Sequence, residues 1–342
     1  MRFGLALPHY DSSFAGGPAR WESVRDVALT AERSGFDSVY VSDHFFLDWG
    51  KYGGPDDVQG SLECWTTLSA LAAVTDRIRL GTLTLCNDFR NPALLAKMVA
   101  TLDLLSGGRV DVGLGAGWYE PEYSAAGIPF ERPGVRIHRL SEALQIVTRL
   151  LAGERLDFKG RHYRTEGGLT RPRPVQEPRP PVFVGGKGDR LITTAVRYAD
   201  GWNMSWLGSF ETYRERASFA DAACEREGRD PQTFSRSVGV YLLAGKDERD
   251  AIRRFERLID RTPNGVLQRA SGGAAVSWDE FRRDKVAGTK SEVIERLGEL
   301  EALGVDEVVV GLGAVPFQVA DIEDVEFVGA EIASAFRSEV VT

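Results

Sequence analysis

The stretch "WESVRDVALTAERSGFDSVYVSDHFF", residues 21 to 46, decides the fold, because a helix pattern, a stop signal and a strand pattern follow one another in it. Apolar residues recur at the spacing of one helix face from Val24 to Ala31, and Gly35 is the usual residue just past a helix end. Residues 38 to 42, "SVYVS", form a short apolar and β-branched run typical of a buried strand. The stretch therefore predicts a helix that leads into a strand of a parallel sheet.

The same alternation of strand and helix patterns continues along the whole chain. The predicted strands are "RFGLAL" (2 to 7), "SVYVS" (38 to 42), "IRLGTLTL" (78 to 85), "RVDVGLGA" (109 to 116), "PVFVGG" (181 to 186), "GWNMSW" (201 to 206), "SVGVYLLAG" (237 to 245) and "DEVVVGLG" (306 to 313). Eight strands separated by helices predict a (β/α)₈ TIM barrel, an α/β fold in which the chemistry lies at the carboxyl ends of the strands.

Two longer insertions interrupt this rhythm, at about 154 to 180 and 260 to 288. The first is basic and rich in proline, which predicts an irregular excursion of extended hairpin and polyproline-like segments. The second mixes Gly and Ser with apolar residues and is interpreted as a mobile lid over the site. Neither has the composition of a domain boundary, so we expect one domain spanning residues 1 to 342 with both insertions.

Composition narrows the class of partner. The formal net charge of −8 and the pI near 5.3 argue against nucleic acid or an anionic membrane surface as the main partner, because both require clustered positive charge. The 3 cysteines include no C-x-x-C pair, so neither a disulfide framework nor a metal site is indicated. The N-terminus lacks a signal-peptide pattern and no run of apolar residues is long enough to span a membrane, so a cytoplasmic enzyme acting on a small molecule is expected.

Two titratable side chains stand where the second predicted strand ends. His44 in this position is a candidate proton acceptor or donor near neutral pH, and the alternative is a histidine that satisfies a backbone group. Asp43 is too close in sequence to be assumed the orienting partner of His44. His9 follows the first strand and either contacts a ligand or helps Pro8 and Tyr10 to turn the chain.

Two glycine-rich turns follow other strands. After the fifth strand, free amide hydrogens and a helix dipole could hold a phosphate, and the alternative is a plain βα turn. This turn contains Gly185, Gly186, Lys187 and Gly188. A second such turn after the fourth strand increases the chance of a phosphorylated ligand, and its tryptophan serves either as a ligand platform or as a core residue. It contains Gly115, Ala116, Gly117 and Trp118.

Four stretches together resemble one known family. They are "GFDSVYVSDHFF" (35 to 46), "LGTLTLCNDFRNPALLAKMVATLDLLSGGRVDVGLGAGW" (80 to 118), "PPVFVGGKG" (180 to 188) and "YADGWN" (198 to 203). The chain resembles the luciferase-like monooxygenase superfamily, in particular the branch that uses the deazaflavin coenzyme F420. The resemblance runs from residue 1 to about 206 and resumes weakly at 288 to 312, and it is most specific from Asn91 to Gly117.

This resemblance implies a barrel that holds the flavin-like ring in its mouth and assembles as a homodimer. It implies that Asp43 and His44 match the family's Asp-His pair, with the histidine near the reacting carbon of the coenzyme. It also implies a non-prolyl cis peptide, most plausibly at Leu83-Thr84. The two glycine turns match segments beside the ring (Gly115 to Trp118) and near the phosphate tail (Gly185 to Gly188) of the coenzyme.

One departure from the family concerns the substrate. The sugar-phosphate dehydrogenase branch carries an acidic residue where this chain has Trp118, and a phosphate-binding lysine in what is here Asn203 to Phe210, which contains no basic residue. Apolar or aromatic substrates are therefore expected in place of glucose 6-phosphate.

The predicted function is hydride transfer between F420 and a small organic substrate, with His44 handling the proton. The alternatives are a monooxygenase that uses reduced FMN and molecular oxygen, and a non-catalytic cofactor-binding protein. If His44 is not the proton carrier, the next candidates are His9, Glu120 and Glu122.

Overall fold

A computed structural model describes residues 1–54, 56–263, 266–267 and 275–337. Fourteen strands lie in these ranges: β1 Arg2–Ala6, β2 Ser38–Val41, β3 Phe46–Asp48, β4 Val58–Gly60, β5 Arg79–Thr82, β6 Leu85–Cys86, β7 Val110–Gly115, β8 Leu156–Lys159, β9 Arg164–Gly168, β10 Val182–Gly185, β11 Gly201–Trp206, β12 Ser235–Gly245, β13 Val286–Thr289 and β14 Glu307–Gly311. Strands β1, β2, β5, β7, β10, β11, β12 and β14 pair in parallel in that order, and β14 returns to β1. The predicted (β/α)₈ barrel is confirmed.

Helices surround this barrel. The described residues contain α1 Trp21–Ser34, α2 Cys64–Ala72, α3 Pro92–Leu105, α4 Glu120–Ala125, α5 Pro133–Leu151, α6 Asp189–Tyr198, α7 Phe210–Arg226, α8 Glu248–Arg261, α9 Trp278–Asp284, α10 Lys290–Ala302 and α11 Ile322–Phe327. The main core lies between these helices and the outer face of the strands. None of the helices in the described ranges has both the length and the apolar character that crossing a bilayer requires.

The helix-strand unit that opened the sequence analysis forms as predicted. Helix α1 buries Val24 and Ala31 against the barrel and ends at Gly35, which has the left-handed φ of 105°. Helix α3 begins equally clearly, since the Asn91 side chain accepts hydrogen bonds from the first-turn amides and Pro92 occupies the first helical position. Local signals therefore set the ends of both helices.

The amino end of the barrel is closed by buried charges. The Glu307 carboxylate accepts a 2.8 Å hydrogen bond from Arg2, and Asp111 accepts hydrogen bonds of 2.6 and 2.7 Å from Arg79. The ring of Tyr40 fills the interior, where a Cβ at Gly81 would lie 2.2 Å from it. The interior at this end is therefore occupied by side chains of the barrel strands.

The third predicted strand, residues 78 to 85, is in fact broken in two. β5 ends at Thr82, and the short β6 begins at Leu85 and pairs with β7. The peptide bond between Leu83 and Thr84 is cis, which confirms the position predicted for it.

The insertions have more order than their composition indicated. The first contains the antiparallel hairpin β8–β9, followed by cis bonds before Pro172 and Pro178, in agreement with the expected extended excursion. The second contributes α9 and β13, which pairs with β12. Its predicted lid role depends in part on residues 264, 265 and 268–274, which lie outside the described residues.

A third excursion was not predicted. Shortly after His44, the strands β3 and β4 pair antiparallel, and a short 3₁₀ helix, Trp49–Tyr52, lies between them in the chain. Trp49 is fully buried and packs against Tyr10 and Tyr52 at ring distances of 5.7 and 5.8 Å. This hairpin is therefore anchored over the mouth of the barrel.

Candidate active site

A cavity of about 380 Å³ opens at the carboxyl ends of the barrel strands. Its size lies in the range of small-molecule sites, and its walls combine aromatic rings with a few polar groups. The lining includes Tyr10, Ser42, Asp43, His44, Leu47, Tyr52, Leu83, Thr84, Gly115, Ala116, Gly117, Trp118, Tyr119, Glu122, Gly185, Gly186, Trp206 and Phe317.

His44 is held by Glu122. The Nδ1 atom of His44 lies 2.7 Å from Oε2 of Glu122, and the other carboxylate oxygen accepts backbone hydrogen bonds from Phe45 and from Phe46, the latter at 3.2 Å. Because a carboxylate only accepts hydrogen bonds, the imidazole must donate through Nδ1. Its Nε2 atom then has no protein partner in the described part of the chain, and His44 lines the cavity.

Asp43 faces a different partner from its neighbour. Its carboxylate accepts two hydrogen bonds from the Arg90 guanidinium, at 2.6 and 3.0 Å, and one from the Cys86 amide at 2.9 Å. Burial raises the pKa of Asp43, and the Arg90 charge opposes that rise. Asp43 reaches the cavity wall, but its hydrogen-bonding capacity is used to fix the chain after β6 to the end of β2.

His9 is buried behind the cavity wall and does not line the cavity. Its Nδ1 atom lies 2.8 Å from the carbonyl oxygen of Leu7 and must donate to it, so Nε2 accepts from the Ser42 hydroxyl at 3.0 Å. Burial lowers the pKa of His9 to about 3, so this imidazole stays neutral. The structure therefore favours the structural reading of His9 over direct contact with a ligand.

Thr84 projects between two of the predicted glycines. A Cβ on Gly115 would lie 2.6 Å from the Thr84 hydroxyl oxygen, and a Cβ on Gly185 would lie 2.6 Å from its methyl carbon. Both distances are shorter than van der Waals contact allows. The glycines thus make room for the segment at Leu83 and Thr84, and all four residues line the cavity.

The turn after β7 places Trp118 at the mouth. Gly117 has φ of 74°, and a Cβ there would lie 1.8 Å from the Tyr123 hydroxyl, so only glycine fits. Trp118 is 50% exposed and its ring lies 5.6 Å from the His44 ring. Of the two roles left open for this tryptophan, the exposure favours a platform for ligands over a core residue.

The turn after β10 divides into two parts. Gly185 and Gly186 line the cavity, and the Gly186 amide already donates to the Asn203 carbonyl at 3.0 Å. Lys187 and Gly188 lie farther out, where the Lys187 ammonium donates to the Trp206 carbonyl at 2.7 Å. Gly188 is the N-cap residue of α6, and as a glycine it has no side chain that could accept hydrogen bonds from the first backbone amides of the helix. An anion at this helix end would be stabilised.

Some lining residues were missed by reading the sequence. Tyr52 belongs to the unpredicted hairpin, and Phe317 follows the last strand in a segment that gave no signal. Glu122 was named only as a fallback carboxylate. Its place in the first turn of α4, directly after the glycine turn of β7, was the one available hint that it reaches the cavity.

Comparisons with known proteins agree with this geometry. The family model described as luciferase-like monooxygenase matches residues 1–307. The chain belongs to the luciferase-like monooxygenase family. Its members are oxidoreductases, and those that resemble this chain include both F420-dependent dehydrogenases and FMNH₂-dependent monooxygenases.

Three relatives illustrate the range. The F420-dependent hydroxymycolic acid dehydrogenase of Mycobacterium tuberculosis is 32% identical over 296 residues, which cover 85% of this chain and 76% of that protein. The FMNH(2)-dependent dimethylsulfone monooxygenase of Pseudomonas putida is 26% identical over 92% of this chain and 87% of that protein. The crystal structure of monooxygenase RslO1 from Streptomyces bottropensis superposes with a TM-score of 0.75 at 25% identity, covering 98% of this chain and 100% of that one.

Proposed function

We propose that this luciferase-like oxidoreductase transfers hydride between coenzyme F420 and a small, mainly apolar or aromatic organic substrate, and that His44 handles the accompanying proton. The observation that carries the proposal is the hydrogen bond between His44 Nδ1 and Glu122 inside the cavity. Glu122 fixes the ring and would stabilise it when Nε2 takes up a proton. A histidine that merely satisfied a backbone group would need no buried carboxylate behind it.

The residues at the barrel mouth fit a flavin-like coenzyme. Gly115, Gly185 and Gly186 leave one wall without side chains, and the N-terminus of α6, next to that wall, would hold the phosphate of the coenzyme. When bound there, F420 would supply the carbon that gives or accepts hydride. The chain would bind the ring between Leu83 and Trp118, orient it towards His44 and limit the access of water through the aromatic rim.

The choice of F420 rests on sequence similarity to relatives. This chain is 32% identical to the F420-dependent hydroxymycolic acid dehydrogenase and 26% identical to the FMNH₂-dependent dimethylsulfone monooxygenase. The substrate class rests on the rings of Trp118, Tyr119, Trp206 and Phe317, which line the cavity. We further propose that residues 1 to 342 form one domain, that the protein acts in the cytoplasm and that it assembles as a homodimer.

Titration of the purified apoprotein with F420 and, separately, with FMN tests the proposal through quenching of tryptophan fluorescence. F420 is expected to bind with a dissociation constant at least tenfold lower than FMN. Tighter binding of FMN would replace the proposal by the monooxygenase alternative. Binding without turnover of any alcohol, aldehyde or ketone in a broad panel would favour the non-catalytic binding protein.

A further inference from the structure

An unpaired positive charge lies against two aromatic rings of the cavity wall. Lys51 belongs to the 3₁₀ helix of the hairpin at residues 46 to 60, and its ammonium lies over the Trp118 ring at 5.1 Å and over the Tyr119 ring at 4.8 Å. Both rings line the cavity. No carboxylate within the described ranges lies close enough to Lys51 to form an ion pair.

The other charged groups of the lining are neutralised by partners. Asp43 is paired with Arg90 at 2.6 Å, and Glu122 is bonded to His44 at 2.7 Å. The remaining lining groups are apolar, aromatic or hydroxyl-bearing. Two lysines without a carboxylate partner in the described part of the chain lie beside this wall: Lys51, over Trp118 and Tyr119, and Lys187, whose ammonium donates to the Trp206 carbonyl. Of the two, Lys51 lies beside the aromatic residues next to His44.

The position of Lys51 also limits the length of a ligand that touches both it and the reactive histidine. The Trp118 ring lies 5.6 Å from the His44 ring and 5.1 Å from the Lys51 ammonium, so the ammonium is at most about 11 Å from the His44 ring centre. The path through Tyr119 gives the same bound, with 6.3 and 4.8 Å. A body the size of one ring with a short chain spans this distance.

We propose that Lys51 is a specificity-determining residue and that the substrate carries a carboxylate on an apolar or aromatic body. The body would pack on Trp118 and Tyr119, while the carboxylate would accept hydrogen bonds from the ammonium at the rim. The cation–π contacts hold the ammonium in place before the ligand arrives, which reduces the ordering cost of binding. This inference rests on the proposed function, because it describes the substrate of the same site.

The experiment measures the binding of matched acids and amides to the coenzyme-loaded protein by calorimetry. The probes are phenylacetate, phenylpropionate and phenylbutyrate, each with its neutral amide. In the native protein at least one acid should bind fivefold or more tightly than its amide, with a preference that weakens at high salt. The preference should disappear in Lys51→Met and remain in Lys51→Arg. Lys159→Met, at an exposed lysine on β8, controls for the change in net charge.

Equal binding of every acid and its amide, no acid binding at millimolar concentration, or a preference that survives in Lys51→Met would each overturn the inference. Coenzyme affinity is measured first in every variant. If the native protein does not bind F420, the proposed function is contradicted. If it binds F420 but shows no preference for the acids over their amides, only the role of Lys51 is contradicted.

Discussion

Replacing Glu122 by Gln tests the assignment of His44 most directly. The carboxylate now accepts the Nδ1 proton of His44 and two backbone N–H bonds. A carboxamide has one oxygen and one NH₂ group, and the backbone donors at Phe45 and Phe46 will hold the oxygen. The NH₂ group must then face His44 and donate to Nδ1, which moves the imidazole proton to Nε2. The nitrogen that faces the cavity could no longer accept a proton.

The size of the effect follows from these contacts. Loss of the proton acceptor should lower kcat by roughly 10² to 10⁴, the usual range for general acid–base catalysis. The dissociation constant of the coenzyme should change by less than about tenfold, because the Glu122 side chain forms no hydrogen bond with Leu83, Trp118 or the glycine turns, which are proposed to hold the coenzyme. Exchange of charge-assisted for neutral hydrogen bonds should cost about 1 to 3 kcal/mol of the free energy of unfolding.

Three measurements check this prediction: steady-state turnover with saturating coenzyme, fluorescence titration of the coenzyme, and ¹⁵N NMR of the histidine ring nitrogens. The NMR spectrum should show the Nδ1–H tautomer of His44 in the native protein and the Nε2–H tautomer in Glu122→Gln. Glu120→Gln is the matched control, because Glu120 begins the same helix and is exposed. A Glu122→Gln enzyme with native kcat, or with an unchanged tautomer, would refute the reasoning.

Three further predictions concern residues around this pair. Asp43→Asn should lower the free energy of unfolding by about 1 to 3 kcal/mol, because it removes one of the two carboxylates paired with Arg90 and leaves Glu63 as the remaining partner. Urea denaturation measures this loss, and a loss below about 1 kcal/mol would contradict the prediction. Gly188→Pro should weaken coenzyme binding about tenfold, because proline removes the amide hydrogen that would bind the phosphate, and the φ of −79° at this position suits proline. Gly188→Ala should not weaken binding, because a Cβ at this position meets no atom within 4 Å. Equal affinities of the two variants in fluorescence titration would place the phosphate elsewhere. Because the pKa of His9 is lowered to about 3 in the folded protein, the unfolded chain takes up the proton first as the pH falls. The free energy of unfolding should therefore fall by up to about 1.4 kcal/mol per pH unit from pH 6.5 towards 3. Denaturation curves of His9→Gln should show a weaker pH dependence, and the same pH dependence in both proteins would show that His9 is not its source.

The strands were predictable because the barrel depends on patterns that lie within short stretches. Each of the eight predicted runs overlaps a barrel strand, and the ends differ by at most three residues. The largest difference is in the third run, where the ladder stops at Thr82 although the apolar pattern continues to Leu85. The chain breaks there to fit Thr84 between glycines of two neighbouring strands, and that fit is tertiary packing. The hairpin at 46 to 60 was missed for a related reason, since its strands have only three residues each.

The site was predictable in position and only partly in its chemistry. As the rule that loops after barrel strands meet at one end predicts, His44, the turn from Gly115 to Trp118, Gly185 and Gly186 lie around one cavity, whereas Lys187 and Gly188 do not line it. The partners of the charged residues were not predictable in the same way. Glu122 is 78 residues from His44 and Arg90 is 47 residues from Asp43. Pairing across such separations depends on which loops become neighbours in the closed barrel.

Asp43 and His44, the adjacent residues after β2, have different roles. Asp43 links neighbouring segments of the barrel mouth, and His44 is the proposed proton carrier. Side chains of successive residues in extended chain point in opposite directions, so Asp43 meets Arg90 while His44 meets Glu122. The first pair ties the segment after β6 to β2 through three hydrogen bonds accepted by the Asp43 carboxylate. The second leaves one imidazole nitrogen free at the cavity. Substitution of Asp43 should therefore mainly lower the free energy of unfolding, whereas substitution of Glu122 should mainly lower turnover. This contrast distinguishes the structural role of Asp43 from the proton-transfer role of His44.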